Sequence, residues 1–120
     1  MTTWIRGILA GAFFAIGSAA LTAQNHKPEM RPTDSKESIA RGESFYKSHC
    51  AICHFAASTE KKIGPGLKGL SKRVKFADGT RNDNQNLVKL IENGKKNMPP
   101  SRENISDAQL RDLLAYLRTL

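Results

Sequence analysis

Five consecutive residues, Cys50-Ala51-Ile52-Cys53-His54, carry the densest chemistry in the 120-residue chain, and they include its only two cysteines. Cys-x-x-Cys-His is the attachment pattern of c-type haem. The spacing has a physical reason. On one helical turn, cysteines three residues apart bring both sulfurs to one face. Each sulfur can then add to a haem vinyl group and form a thioether. His54 follows Cys53 directly and lies four residues from Cys50, so its imidazole can swing to the iron. Rival chemistries need more than the sequence supplies. A redox dithiol would sit in a thioredoxin-like βαβ context, which is missing. A zinc site needs further ligands, and the nearby candidate, His49, is flanked by Cys50 and poorly placed to converge. A structural disulfide suits an exported chain but leaves His54 without a role.

A sixth iron position calls for a second ligand. No histidine follows His54, and one methionine does: Met98, within Gly94-Lys95-Lys96-Asn97-Met98-Pro99-Pro100. A thioether is a soft, neutral ligand that raises the reduction potential when it stands opposite a histidine. Methionine is also a common core gap-filler. The two prolines favour the ligand, because they stiffen the loop and present one side chain in a fixed direction. Met1 and Met30 precede the domain, and His26 lies in the segment leading to it.

These residues must be positioned by helices. Asp34 and Glu37 resemble a capping box, and Ile39, Gly42, Phe45 and Tyr46 recur at helical spacing, which predicts a helix over 35–49. A second helix is predicted over 84–92, with Gly94 as its stop. The last helix opens on a capping box of Ser106 and Gln109. Ile105 can staple to Leu110 there, and Leu110, Leu113, Leu114 and Leu117 form the apolar face. Residues 55–83 are rich in Gly, Lys and Asp, with no strand alternation. The prediction is an all-α domain of three to four helices with long loops, and loops of that length usually wrap something or are functional.

Residues 1–23 have one positive flank, Arg6, an apolar run of small residues, and alanines at either of two cleavage points, after Ala20 or after Ala23. This is the layout of a secretory signal peptide. The run is also at the short limit for an uncleaved membrane anchor. Residues 24–34 read as a polar leader and 35–120 as the domain. Hydrophobic residues are 39% of the whole chain, and the leading segment takes a large share. The remaining domain is small and apolar-poor, so it needs a staple such as a metal or a large apolar cofactor. Repeats and phosphate-binding glycine loops are absent. The net charge is +8, from 19 Lys and Arg against 11 Asp and Glu. That favours acidic partners. The lysines are scattered, and no basic recognition helix or aromatic-interleaved basic strand points to nucleic acid.

Taken together, the region from Ser38 to Leu120 resembles a class I cytochrome c of the short bacterial mono-haem kind. Gly42, Tyr46 and Cys50 repeat that family's glycine–aromatic–cysteine spacing of four and four. The resemblance implies that Gly42 lets the first helix cross closely against the last, near Leu113 and Tyr116. Gly64-Pro65-Gly66-Leu67-Lys68-Gly69-Leu70 resembles the family's Gly-Pro-x-Leu-x-Gly segment. It implies that the Pro65 carbonyl accepts the free ring N–H of His54 and fixes the imidazole tautomer. Arg73 falls where the family often keeps a basic residue near a haem propionate; a solvated surface arginine is the other reading. Met98 falls at the axial methionine, in the Met-Pro-Pro form of the bacterial branch. Two departures are visible: Trp4 is the sole tryptophan, so a tryptophan–propionate bond is excluded, and Phe55 follows His54 where many relatives carry a small residue.

The expected protein is a periplasmic one-electron carrier, not an enzyme. One covalent haem c hangs on Cys50 and Cys53, its iron lies between His54 and Met98, and Pro65 and Arg73 support it. Its partners are expected to be other redox proteins with acidic docking surfaces, met by Lys61, Lys62, Lys68, Lys72, Lys95 and Lys96; these could equally be a solvated face. After signal cleavage no membrane association is expected, and the sequence does not encode an oligomeric state. A dedicated cytochrome subunit of a periplasmic dehydrogenase uses the same chemistry. A haem peroxidase or gas sensor would need an open sixth site, against which Met98 stands.

Overall fold

The computed structural model describes residues 30–120. The signal segment at 1–23 and most of the polar leader lie outside the described residues. Three helices follow in order: α1 (Lys36–His49), α2 (Asn84–Asn93) and α3 (Asp107–Leu117), with a short 3-10 turn at Leu70–Lys72 between α1 and α2. The described residues hold no strand beyond two isolated bridges, Lys75 with Arg81 and Lys95 with Met98. Among them, no helix is long and apolar enough to cross a membrane.

Helix α1 starts one residue later than the capping pattern suggests. Ser35, not Asp34, is the cap, and its side chain accepts the Ser38 amide. Serine and aspartate are nearly equal as caps, so sequence alone separates such neighbours poorly. Helix α2 is capped by Asp83 on the Asn86 amide, and α3 has the reciprocal Ser106–Gln109 box. Helix α2 runs to Asn93 and stops at Gly94, whose φ of 65° lies in the left-handed region where a β-carbon is costly.

Helices α1 and α3 cross closely, and the contact is built from one face of each. Ser38, Gly42 and Tyr46 are buried at four-residue intervals along α1. A β-carbon on Gly42 would fall 1.9 Å from the Asp112 carbonyl oxygen and 2.9 Å from the Tyr116 β-carbon. The crossing therefore meets Tyr116, as expected, together with the Asp112 backbone, and Leu113 beside them is buried in the core. Tyr46 and Tyr116 meet with ring centroids 5.3 Å apart. A polar cluster locks the rim of the crossing. The Ser38 hydroxyl donates to Asp112 Oδ1 at 2.5 Å, and the Arg41 guanidinium reaches both Asp112 oxygens, at 2.6 and 3.0 Å. Beside Arg41, the Asp112 carboxyl is held below the usual carboxylate range.

The core joins Tyr46, Leu70, Leu87, Val88, Ile91, Leu110, Leu113, Leu114 and Leu117. Ile105 packs against it, as a residue placed just before the cap should. So does Met30, at the end of the segment read as a leader; apolar contact draws this residue onto the domain. The long connection from α1 to α2 is tied down at Asn82. Its side-chain amide donates to the Leu70 and Arg73 carbonyls, at 2.7 and 2.8 Å, while its oxygen accepts from Arg118 at 2.7 Å.

Candidate haem site

The motif begins where α1 ends. Cys50 is the C-cap of α1, and the Cys53 and His54 amides both donate to the Cys50 carbonyl, at 3.1 and 3.0 Å. One tight turn therefore carries both thiols and the imidazole. Both cysteines are partly buried, and no disulfide joins them. Burial, with Cys53 close by, pushes the Cys50 thiol up to about 11. A reactive redox dithiol needs the opposite, a thiolate stabilised by positive surroundings. No cluster of three or more His, Cys, Asp or Glu able to hold a metal ion forms among the described residues, so the zinc reading has no donor set to stand on. His49 stacks on Phe45 at 4.1 Å between centroids, and its Nδ1 lies 2.8 Å from the Ser48 hydroxyl. It is occupied on its own helix.

His54 is held from three directions. Its Nδ1 lies 2.9 Å from the Pro65 carbonyl oxygen. A carbonyl can only accept, so Nδ1 carries the proton and Nε2 keeps the lone pair a metal would need. The Tyr46 hydroxyl donates to the His54 carbonyl at 2.7 Å. Burial pushes that phenol up to about 12, which keeps it a donor. Gly64 supports the ring: a β-carbon there would stand 2.3 Å from Cε1 and 2.8 Å from Nε2.

The segment carrying Gly64 and Pro65 is fastened back onto the motif. The Gly64 amide donates to the Cys53 carbonyl at 2.8 Å, and the Leu67 amide to the Phe55 carbonyl at 2.7 Å. Gly66 is buried where a β-carbon would strike the Ser58 and Glu60 carbonyls. The Lys62 ammonium donates to the Ala51 carbonyl at 2.7 Å and lies 5.2 Å from the centre of the Phe55 ring. Arg73 bonds this loop too. Its guanidinium donates to the carbonyls of Gly66 and Lys68, at 2.8 and 2.6 Å, through the same nitrogen. Arg73 is thus anchored in the loop rather than loose on the surface.

Met98 is partly buried and packs against the core. It closes a four-residue turn in which Lys95 and Met98 exchange amide–carbonyl bonds of 3.0 and 2.9 Å. The turn lies flat on Gly94, where a β-carbon would be 2.3 Å from the Met98 carbonyl oxygen and 2.7 Å from the Pro100 nitrogen. The chain beyond it is returned to α2 by Ser101, whose amide donates to the Ile91 carbonyl, and by an ion pair of Arg102 with Glu92.

Two thiols on one turn, an imidazole with its tautomer fixed, and a thioether on a braced loop make a donor set that suits a haem iron and its attachment. A family profile described as cytochrome c oxidase, cbb3-type, subunit III, matches residues 37–117. The chain belongs to this family, as a class I c-type cytochrome. The cytochrome is also similar to curated relatives. A cytochrome c6 from a Synechocystis species is 29% identical over 115 residues, covering 92% of this chain and 77% of that one. A cytochrome c6-like protein from a Nostoc species is 27% identical, covering 73% and 76%. A nicotinate dehydrogenase subunit from Pseudomonas putida is 29% identical over 111 residues, which span 85% of this cytochrome and 9% of that much longer protein. The cytochrome has the all-α fold of its family, carries covalently bound haem c, and works as an electron carrier to other redox proteins rather than as an enzyme.

Two contributors are not evident from the motif alone. One is the Tyr46 hydroxyl on the His54 carbonyl; an aromatic four residues before the first cysteine was the available signal. The other is the seat that Gly64 gives the ring, signalled only by its place beside Pro65.

Proposed function

We propose that this cytochrome is an exported, periplasmic one-electron carrier in which Cys50 and Cys53 hold the haem and His54 and Met98 ligate its iron. The single observation supporting this most is the His54 environment: an Nδ1 proton committed to the Pro65 carbonyl, and a glycine seat under the ring. Together they fix which nitrogen is left to bind and where it points, before any metal arrives. The haem, once bound, supplies a one-electron Fe(III)/Fe(II) couple. The protein's part is to keep both ligands in place through the cycle, so that little rearranges when the electron moves. Met98 is suited to that by its braced turn. Arg73 keeps further guanidinium N–H groups that its two loop bonds do not use, and these would serve a propionate. Lys61, Lys68, Lys72 and Lys96 are exposed and suit an acidic partner. Lys62 and Lys95 are engaged within the protein.

The test is an absorption spectrum of the exported protein, oxidised and reduced, with and without carbon monoxide. A low-spin haem c spectrum with the weak red thioether-to-Fe(III) band, unresponsive to carbon monoxide, is the expected result, and Met98→Ala should abolish the band. A high-spin spectrum, or ready carbon monoxide binding by the unaltered protein, overturns the ligation and favours an open-site haem protein. The likeness to part of a dehydrogenase supports a second reading, a cytochrome that works bound to one dehydrogenase. Co-purification with a stoichiometric partner would favour it over a free shuttle.

A further inference from the structure

The Met98 turn is joined to a separate part of the chain by one ion pair. The Lys95 ammonium lies 2.5 Å from Asp78 Oδ2, with the two side chains 48% and 22% exposed. The other Asp78 oxygen accepts the Thr80 amide at 2.9 Å. Asp78 thus sits rigidly in its own turn, where the Phe76 amide bonds the Thr80 carbonyl and the Gly79 amide bonds the Phe76 carbonyl. Lys95 is the residue whose backbone holds Met98 through two reciprocal bonds. Between them is Lys96 at φ 52°, a left-handed conformation that costs a residue with a β-carbon energy and needs support from its surroundings. The Gly94 seat and the Arg102–Glu92 pair belong to α2 and its exit, and Met98 itself packs against the core. Among the bonds described, the Lys95–Asp78 pair is the one that ties the Met98 turn to a segment outside α2 and its exit.

We propose that Asp78 is a positioning residue for the sixth iron ligand: by gripping Lys95 it holds the strained turn closed and keeps the Met98 thioether at the metal. The inference rests on the Met98 ligation proposed above. It makes the turn at 76–80, which touches neither the motif nor Met98 through any of the bonds described, part of the device that keeps the sixth site shut. A neutral side chain at 78 keeps the Thr80 bond and loses the grip on Lys95. The ligand then leaves the iron more often, with the fold intact.

The experiment compares the unaltered holoprotein with Asp78→Asn, Asp78→Glu and Lys95→Gln. The readouts are the red thioether band, the rate at which the reduced protein takes up carbon monoxide, amide exchange at Lys95 and Met98, and the denaturation midpoint. Asp78→Asn and Lys95→Gln should each raise the carbon monoxide rate and the exchange of those two amides about threefold to tenfold, the range expected for a partly exposed charge-assisted pair. Exchange in α1 and α3 should be unchanged, and Asp78→Glu should restore most of the native behaviour. Native rates in both neutral variants, in a protein that shows the thioether band, overturn the role of Asp78 and leave the ligation standing. No thioether band in the unaltered protein overturns the ligation and this inference together. Equal loss of protection across the α1–α3 crossing would make the pair merely structural and also overturns it.

Discussion

The Gly64 α-carbon packs so closely on the His54 imidazole that a β-carbon at 64 would lie 2.3 Å from Cε1 and 2.7 Å from Nδ1. The atoms in the way belong to a ring whose Nδ1 is already bonded to Pro65. The ring has little room to yield without breaking that bond. Gly64→Ala should therefore act on the histidine rather than on the loop. The expected cost is about 1–3 kcal/mol, the usual range for overpacking. Denaturant midpoints of the holoprotein check the stability, and the spectrum checks whether His54 still binds. An alanine variant with native midpoint and spectrum would show that the contact is not a constraint.

At the helix crossing the obstacle is backbone. A β-carbon on Gly42 would sit 1.9 Å from the Asp112 carbonyl oxygen, so the helices must separate to admit it. Gly42→Ala is expected to lower stability by about 3 kcal/mol or more, at the upper end of overpacking effects. Helix propensity works the other way, favouring alanine by about 1 kcal/mol. A net gain in the midpoint would refute the close crossing.

Acid should loosen this same crossing. In the folded protein the Asp112 carboxyl is held low, first by its bonds with Arg41 and further by the Ser38 hydroxyl. A group whose native pKa is depressed adds stability that is present above its unfolded value, near 3.9, and is lost as pH falls through the native value. Stability measured between pH 6 and pH 2.5 should fall through that window. In Asp112→Asn the fall should be shallower, with a lower plateau at neutral pH. An unchanged acid limb would remove Asp112 from the account.

Arg73 gives a test of loop anchoring. Arg73→Met keeps much of the side chain's length but removes the nitrogen that donates to the Gly66 and Lys68 carbonyls. Each hydrogen bond to a charged group is worth about 1.5–3 kcal/mol at most, and the exposure of this loop places the loss near the low end. The expected signature is faster amide exchange at Leu67 and Lys68, whose amides close the loop onto Phe55 and Ser58. Unaltered exchange there would mean that the backbone bonds hold the loop without Arg73.

Electron exchange with an acidic partner should slow as salt rises, because screening shortens the reach of the exposed lysines. Charge reversal at Lys61, Lys68, Lys72 and Lys96 should depress the low-salt rate constant more than reversal at Lys47. Lys47 is already paired with Glu43 along α1. Stopped-flow rates against ionic strength would separate the two groups, and equal effects would contradict the pairing.

Much of this arrangement is readable before any coordinates. The capping box at Ser106 and the Leu110, Leu113, Leu114, Leu117 stripe specify α3 locally, and the structure has both. Periodic apolar residues and cap chemistry act over a few residues, which is why they are legible. The start of α1 is less so, because Asp34 and Ser35 compete as caps on nearly equal terms. Residues 74–83 are harder still. Nothing in the spacing of Asp78 and Lys95, seventeen residues apart, signals that they meet. That pairing depends on how the 76–80 turn and the α2 exit come to rest, a tertiary fact. The same holds for Lys62, whose contact with the Ala51 carbonyl follows from the loop's path and not from any motif.

The crossing of α1 on α3 also orders events in time. Ser38 and Asp112 are separated by 74 residues, so the contact that closes the domain has among the longest loops to close and carries a matching entropic cost. A chain extended only as far as α2 contains the cysteine motif but lacks the helix that covers the Ser38–Gly42–Tyr46 face of α1. The cysteine motif is therefore already present in a chain that cannot yet make the crossing, and closing the domain needs the full length through α3.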